Sequence, residues 1–321
     1  IMFKLVSDRS TNGRDMRLAV VQTIQDLMKT NDKIVALEAD LGGASKFTDI
    51  QKTNPDRFVQ CGIAEADMIG IASGLSVEGF IPFVHTFAPF SVRRALDQIY
   101  LSGAYAKNTL NIYGSDPGFC VGANGGTHTT FEDMAIMRAI PNTIVIDPVD
   151  DVQLEWCIRQ LATMEGVHYF RANRKAVRQF YQAGSEFTLG KGNVVKEGKD
   201  VCIIACGQLV NDAMDAALDL EEKGISCEVI DMFTIKPLDV DLLLKEIPGK
   251  KAVVTFENHS VIGGLGSAVS EVLAEHGIAV PFKRHGVEDC FGQVGSTDFL
   301  QKEFGLTSQD LEKTILTVLN R

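Results

Sequence analysis

Cys61-Gly62-Ile63-Ala64-Glu65-Ala66-Asp67-Met68-Ile69-Gly70-Ile71-Ala72-Ser73-Gly74-Leu75 sets one carboxylate at the head of an apolar segment rich in Gly and Ala. The apolar lead-in over 58–63 reads as a short strand, so the stretch is strand, tight link, helix. Small residues at 62, 64, 66, 70, 72 and 74 leave room for another backbone to approach closely. An acid at that junction is costly to bury unless a partner shares a proton with it. Its ordinary alternative is a first-turn acid favoured by the helix dipole.

Outward from this stretch the same alternation continues. Residues 14–29 space Met16, Val20, Ile24, Leu27 and Met28 as one helical face. A buried strand over 33–41 ends at Asp40. Strands are expected at 81–87, 109–113, 142–147 and 167–172, with helices at 92–106 and 150–164. A Gly-rich loop fills 114–130. Residues 173–200 are charged and irregular, and the domain boundary is placed at 184/185. The first domain is then 12–184 and the second 185–321. The second domain alternates again, with strands at 200–206, 226–231, 251–257 and 280–285 and helices at 210–223, 239–246, 264–276 and 308–319. Strands alternating with helices in both halves predict an α/β protein with two open, mostly parallel sheets flanked by helices.

Composition narrows the function. The chain has 321 residues, 45% hydrophobic, which is enough for about two packed domains. A net charge of −11 without a Lys/Arg cluster argues against a nucleic-acid partner. No apolar run reaches membrane-spanning length, and the first residues turn polar too soon for a signal peptide. Seven scattered cysteines without a CxxC pair read as buried free thiols in a reducing, cytoplasmic setting.

Four features each follow a different expected strand: Asp40, Glu65, Thr86-Phe87-Ala88-Pro89-Phe90, and Gly122-Ala123-Asn124-Gly125-Gly126-Thr127-His128. Successive βα loops converge on one edge of a parallel sheet, where such folds build sites. Asp40 would face that edge or be a solvated loop acid. Phe87 and Phe90 would stack on a flat heterocycle or pack in the core. His128 ends a long irregular loop, where it would be a general acid/base or a structural histidine.

These motifs, in this order, resemble the transketolase family of thiamine-diphosphate enzymes. There the G-I-x-E glutamate helix, a T-F-x-x-F segment and a G-x-x-G-x-T-H loop follow one another. Thr255-Phe256-Glu257-Asn258-His259-Ser260-Val261-Ile262-Gly263-Gly264-Leu265-Gly266-Ser267-Ala268 is similar to the family's C-terminal domain. Gly264-Leu265-Gly266 lacks the spacing of a dinucleotide fingerprint; it reads as close backbone approach at a helix start, with His259 structural. The resemblance implies that Glu65 and His128 are catalytic. It implies that Asp40, Glu65, Phe87 and Phe90 hold the cofactor's aminopyrimidine. Arg171, in Phe170-Arg171-Ala172-Asn173, would bind a substrate phosphate, with His128 and Arg93 also at the substrate.

The family holds the cofactor's diphosphate through Mg²⁺ on a G-D-G motif, and this chain contains no Gly-Asp dipeptide. The resemblance is therefore to the C-terminal subunit of a split, two-gene transketolase. The diphosphate and Mg²⁺ site would lie on a partner N-terminal subunit, and no metal would be bound by this chain. A homodimer is expected alone, and a hetero-oligomer with the partner. The implied reaction passes a two-carbon ketol unit between sugar phosphates. Asn124 stands where the family usually has Asp, and a second histidine near Asp116 is missing, which leaves the sugar open. Two alternatives stay open: a 2-oxo acid dehydrogenase beta subunit or deoxyxylulose-phosphate synthase-like enzyme, and a catalytically silent regulatory subunit.

Overall fold

The structure, a computed structural model, describes residues 3–320. Its strands are β1 (Ile34–Glu38), β2 (Phe58–Gln60), β3 (Ile81–Phe87), β4 (Leu110–Ser115), β5 (Thr143–Ile146), β6 (Val167–Ala172), β7 (Asn193–Lys196), β8 (Val201–Ala205), β9 (Cys227–Asp231), β10 (Thr234–Lys236), β11 (Ala252–Ser260) and β12 (Phe282–Val287). They form a seven-stranded sheet, β10-β5-β6-β4-β3-β1-β2, and a five-stranded sheet, β12-β11-β8-β9-β7. All pairings are parallel except β10 with β5 and β7 with β9. This is the α/β architecture expected from the alternation.

The central strands read as continuous apolar runs because helices cover both faces. Ile34 and Ala36 of β1 join one core with Met16, Val20 and Ile24 of the helix Met16–Thr30. Val35 and Leu37 point the other way, into a core with Met68, Ile69 and Ala72 of the helix Glu65–Val77. The period-two alternation of a strand thus assigns one helix to each face.

Three local departures from the sequence reading shape the site. The single helix expected over 92–106 is broken: Ala88–Val92 is helical, Ala95 leaves the helical region at φ −113° and ψ 15°, and Ile99–Tyr105 is a π-helix. Such irregular turns are common at functional sites. The 114–130 loop contains two 3₁₀ turns, Gly118–Asn124 and Gly126–His128. Finally, β10 lies in the second half of the chain but extends the first sheet, pairing Thr234 with Ile146. The three residues of β10 are too few to carry a periodic signal. The thiols are free; Cys120, Cys157, Cys202, Cys206 and Cys227 are buried, but Cys61 is half-buried and Cys290 exposed, so the uniform burial expected for them does not hold.

Candidate active site

The C-terminal ends of β6, β4, β3, β1 and β2 line one edge of the first sheet, and the segments around the ends of β2, β3, β4 and β6 each bring a residue to one cluster. After β2 comes Glu65, at the first position of its helix and 1% exposed. The helix dipole favours a negative charge there, and a guanidinium offsets the cost of burying it. Arg94 Nη1 donates to Glu65 Oε1 at 2.7 Å and to Oε2 at 2.9 Å. Arg94 is itself 47% exposed and lies in the turn that breaks the expected helix. Its guanidinium stacks over the Phe90 ring, 4.3 Å from the centroid.

Phe87, the last residue of β3, and Phe90, in the short helix that follows, have ring centroids 6.2 Å apart and planes 23° from parallel. Phe87 is buried and Phe90 half-buried. The His128 imidazole meets both edge-on, 6.0 Å from Phe87 and 5.2 Å from Phe90. Thr127 Oγ1 lies 2.9 Å from His128 Nδ1, which orients the ring. Glu65, Phe90 and His128 are thus joined through Arg94 and the aromatic pair.

The loop carrying His128 is held from the second half of the chain. Asn258 Oδ1 accepts from the Phe119 amide at 3.1 Å, and Asn258 Nδ2 donates to the Pro117 carbonyl at 3.1 Å. A Cβ on Gly118, whose φ is +59°, would sit 2.0 Å from Asn258 Oδ1. A Cβ on Gly126 would sit 2.3 Å from the Gly292 carbonyl oxygen. Those glycines permit the contact that fixes the loop.

The arginines differ from expectation. Arg171 does not reach the site. It is 0% exposed: its Nε lies 2.9 Å from Asp133 Oδ2, its Nη1 3.5 Å from Asp147 Oδ2, and its Nη2 donates to the Asn258 carbonyl at 2.9 Å. Burial opposes its charge, but Asp133 and Asp147 outweigh that and push its pKa up. It is a structural ion joining the halves. The residue that reaches the cluster is Arg174, just past the end of β6. Its guanidinium lies 4.8 Å over the Phe87 ring, pairs with Asp116, and donates from Nη2 to Asn124 Oδ1 at 3.4 Å. Burial pushes the Asp116 carboxyl up to about 6 against the pull of Arg174.

Arg93 faces the back of the His128 loop, pairing with Glu132 at 2.9 Å and donating to the Thr129 carbonyl at 3.2 Å. Asp40 follows β1 with φ +59° and an exposed side chain. Its amide donates to Gln60 Oε1 at 3.2 Å, which ties it to the lead-in of Glu65 rather than to the aromatic pair. Arg94 and Arg174 escaped the sequence reading. The signal for Arg174 was position, since it lies beyond a strand end whereas Arg171 lies inside the strand. For Arg94 there was none, because the sequence does not show which of two adjacent arginines the broken helix turns inward.

In the second half, both oxygens of Glu257 accept from the start of the helix Leu265–Glu275: Oε2 from the Leu265 amide and Oε1 from the Gly266 amide, each at 2.7 Å. Burial pushes this acid up to about 7 despite those bonds. A Cβ on Gly264 would fall 2.1 Å from Glu257 Oε2, so the Gly-rich piece is a close approach. His259 donates from Nδ1 to the Ser260 carbonyl at 2.7 Å and accepts the Ala135 amide on Nε2 at 3.3 Å. Both nitrogens are engaged, as a structural histidine requires.

Comparison with known proteins fits this geometry. The transketolase pyrimidine binding domain model matches residues 12–179, and the transketolase C-terminal domain model matches residues 190–311. The chain belongs to the transketolase family. Within it, the likeness runs end to end with subunits of split-gene enzymes. It is 44% identical over 306 residues to the 6-deoxy-6-sulfo-D-fructose transketolase subunit SqwH of Clostridium sp. strain MSTE9, covering 95% of each chain. A solved split-gene transketolase, an inactive beta4 tetramer, superposes with a TM-score of 0.88 at 40% identity, over 96% of this chain and 99% of that one. Human transketolase is 33% identical over 310 residues, but this chain spans only 49% of it.

Proposed function

We propose that this chain supplies the pyrimidine-facing half of a thiamine-diphosphate site for ketol transfer between sugar phosphates, completed by an N-terminal transketolase subunit that holds the diphosphate and Mg²⁺. One observation carries the reading: a buried carboxylate at a helix N-terminus stands beside an aromatic pair and a loop histidine on one sheet edge. The residues suit an aminopyrimidine, since a planar N–H donor, the Arg94 guanidinium, already satisfies both Glu65 oxygens and the face of Phe90. Among the described residues no group of three or more His, Cys, Asp or Glu is arranged to hold a metal ion.

The bound cofactor would supply a carbon nucleophile and electron sink. Glu65 would hold a proton against the pyrimidine ring nitrogen. Phe87 and Phe90 would wall the ring and exclude water, with Asp40 at the outer rim. His128 would exchange a proton with a sugar hydroxyl. Arg174 would take the phosphate in its planar fork, with Asn124 beside it reading a donor hydroxyl and Arg93 steadying the loop.

Exposed apolar side chains at Ile63, Val77, Tyr100, Leu101 and Tyr105 flank the Glu65 helix, and Gly70 and Gly74 have open space before them. This supports a homodimer alone and a hetero-oligomer with the partner. Among the described residues no helix is long and apolar enough to cross a membrane, and the free thiols support a cytoplasmic setting.

The test is reconstitution with an N-terminal transketolase subunit, thiamine diphosphate and Mg²⁺, against a panel of phosphorylated and sulfonated ketoses. Ketol transfer should require both chains. Release of CO₂ from a 2-oxo acid without ketol transfer would replace this reading with the decarboxylase one.

A further inference from the structure

We infer that Arg94 is a placeholder: in the subunit without cofactor it occupies the aminopyrimidine's place on Glu65 and Phe90, and it must swing away when the cofactor enters. The inference rests on the function proposed above.

A guanidinium and an aminopyrimidine are both flat, delocalised N–H donors that stack on aromatic faces. Arg94 makes both kinds of contact at once, bonding the two Glu65 oxygens at 2.7 and 2.9 Å and lying 4.3 Å from the Phe90 centroid. The two occupants exclude one another. With Arg94 in place both oxygens are acceptors, whereas a shared-proton contact with a ring nitrogen needs one of them to carry hydrogen.

Glu65 is 1% exposed and Arg94 47%, so the acid is fixed and the base is free to leave. It has somewhere to go. Arg94 lines an open cavity of about 790 Å³ together with Ala66, Leu96 and Asp97. Asp97 is exposed, three residues further on across the break at Ala95, and forms no ion pair among the described residues. Arg94 thus has two carboxylates within its neighbourhood, one buried and one open. In the lone subunit it would neutralise an acid that has no cofactor to face, and so keep the unassembled site folded.

The experiment measures thiamine-diphosphate affinity by calorimetry on the reconstituted two-chain complex, with Mg²⁺, for wild type, R94K and R94Q. Lys keeps the charge beside Glu65, so R94K folds even if R94Q does not. Removing the competitor should tighten cofactor binding about tenfold in R94Q, and less in R94K, which loses the planar fork but not the charge. The thermal midpoint of the lone R94Q subunit should fall by about 4 °C or more. Unchanged or weaker cofactor binding in a folded variant would overturn the inference, because Arg94 would then be a permanent partner of Glu65. If the wild-type complex binds no thiamine diphosphate, it is the proposed function that fails.

Discussion

Glu65 and Glu257 are both buried and both meet the first turn of a helix, one in each half of the chain, yet their oxygens are held differently. Glu257 is bound by two backbone amides, which cannot leave without unwinding a helix. Glu65 is bound by one half-exposed side chain, which can rotate. Burial alone therefore does not mark a working acid. What marks it is a partner that can be removed, next to groups with a surface to offer a ligand.

The largest effect should come from the detachable side of this comparison. Glu65→Gln keeps an acceptor for Arg94 but cannot share the proton. The reconstituted complex should lose about 100-fold or more in kcat, with the circular dichroism spectrum unchanged. Full activity in E65Q would break the comparison at its root.

The welded side should respond in stability. Arg171→Met leaves Asp133 and Asp147 buried without their cation and should cost about 3–5 kcal/mol in urea unfolding. By contrast, Arg174→Gln should raise KM for a phosphorylated sugar about tenfold, the factor of one charge-assisted hydrogen bond. A rise in KM confined to the Arg171 variant would return that residue to the role the family resemblance implied. Glu257→Ala strands two amide donors and should cost about 2–4 kcal/mol, with kcat per folded molecule preserved.

The smallest effect concerns pH. Glu257 is raised from 4.5 to about 7 by burial, so the folded protein binds more protons than the unfolded chain between those values. Its contribution is full below about 4.5 and is lost as pH rises through about 7. Asp147, Asp150 and Asp231, each pushed up to about 6 by burial, act in the same direction. His85, His168 and His259, lowered by burial to about 3, 4 and 4, act in the opposite direction, so the test is the difference between the two proteins: as pH rises from about 4.5 to 7, wild type should lose unfolding free energy relative to E257Q. An equal slope in both proteins would place the proton elsewhere.

The α/β alternation, the Glu65 helix and the aromatic pair were legible in the sequence because each is written locally: apolar runs, a carboxylate at a helix start, a Phe-x-x-Phe spacing. The arginines were not, because their roles depend on where a strand stops and where a helix breaks. Arg171 and Arg174 are three residues apart, yet the end of β6 at Ala172 puts one inside the protein and the other at its rim. Likewise the break at Ala95 decides that Arg94 meets Glu65 while Arg93 braces the histidine loop. The support of that loop by Asn258, 139 positions from the Phe119 amide it accepts, is visible only in three dimensions.

The short antiparallel ribbon lent by the second half to the first has a practical consequence. A polypeptide ended at 184 would keep every residue of the Glu65 cluster but lose Thr234–Lys236, baring the hydrogen-bonding groups along β5. Such an open border invites pairing with foreign strands. The two halves are therefore not interchangeable cassettes: swapping the rear portion for that of a relative would also replace the outermost stave of the front sheet.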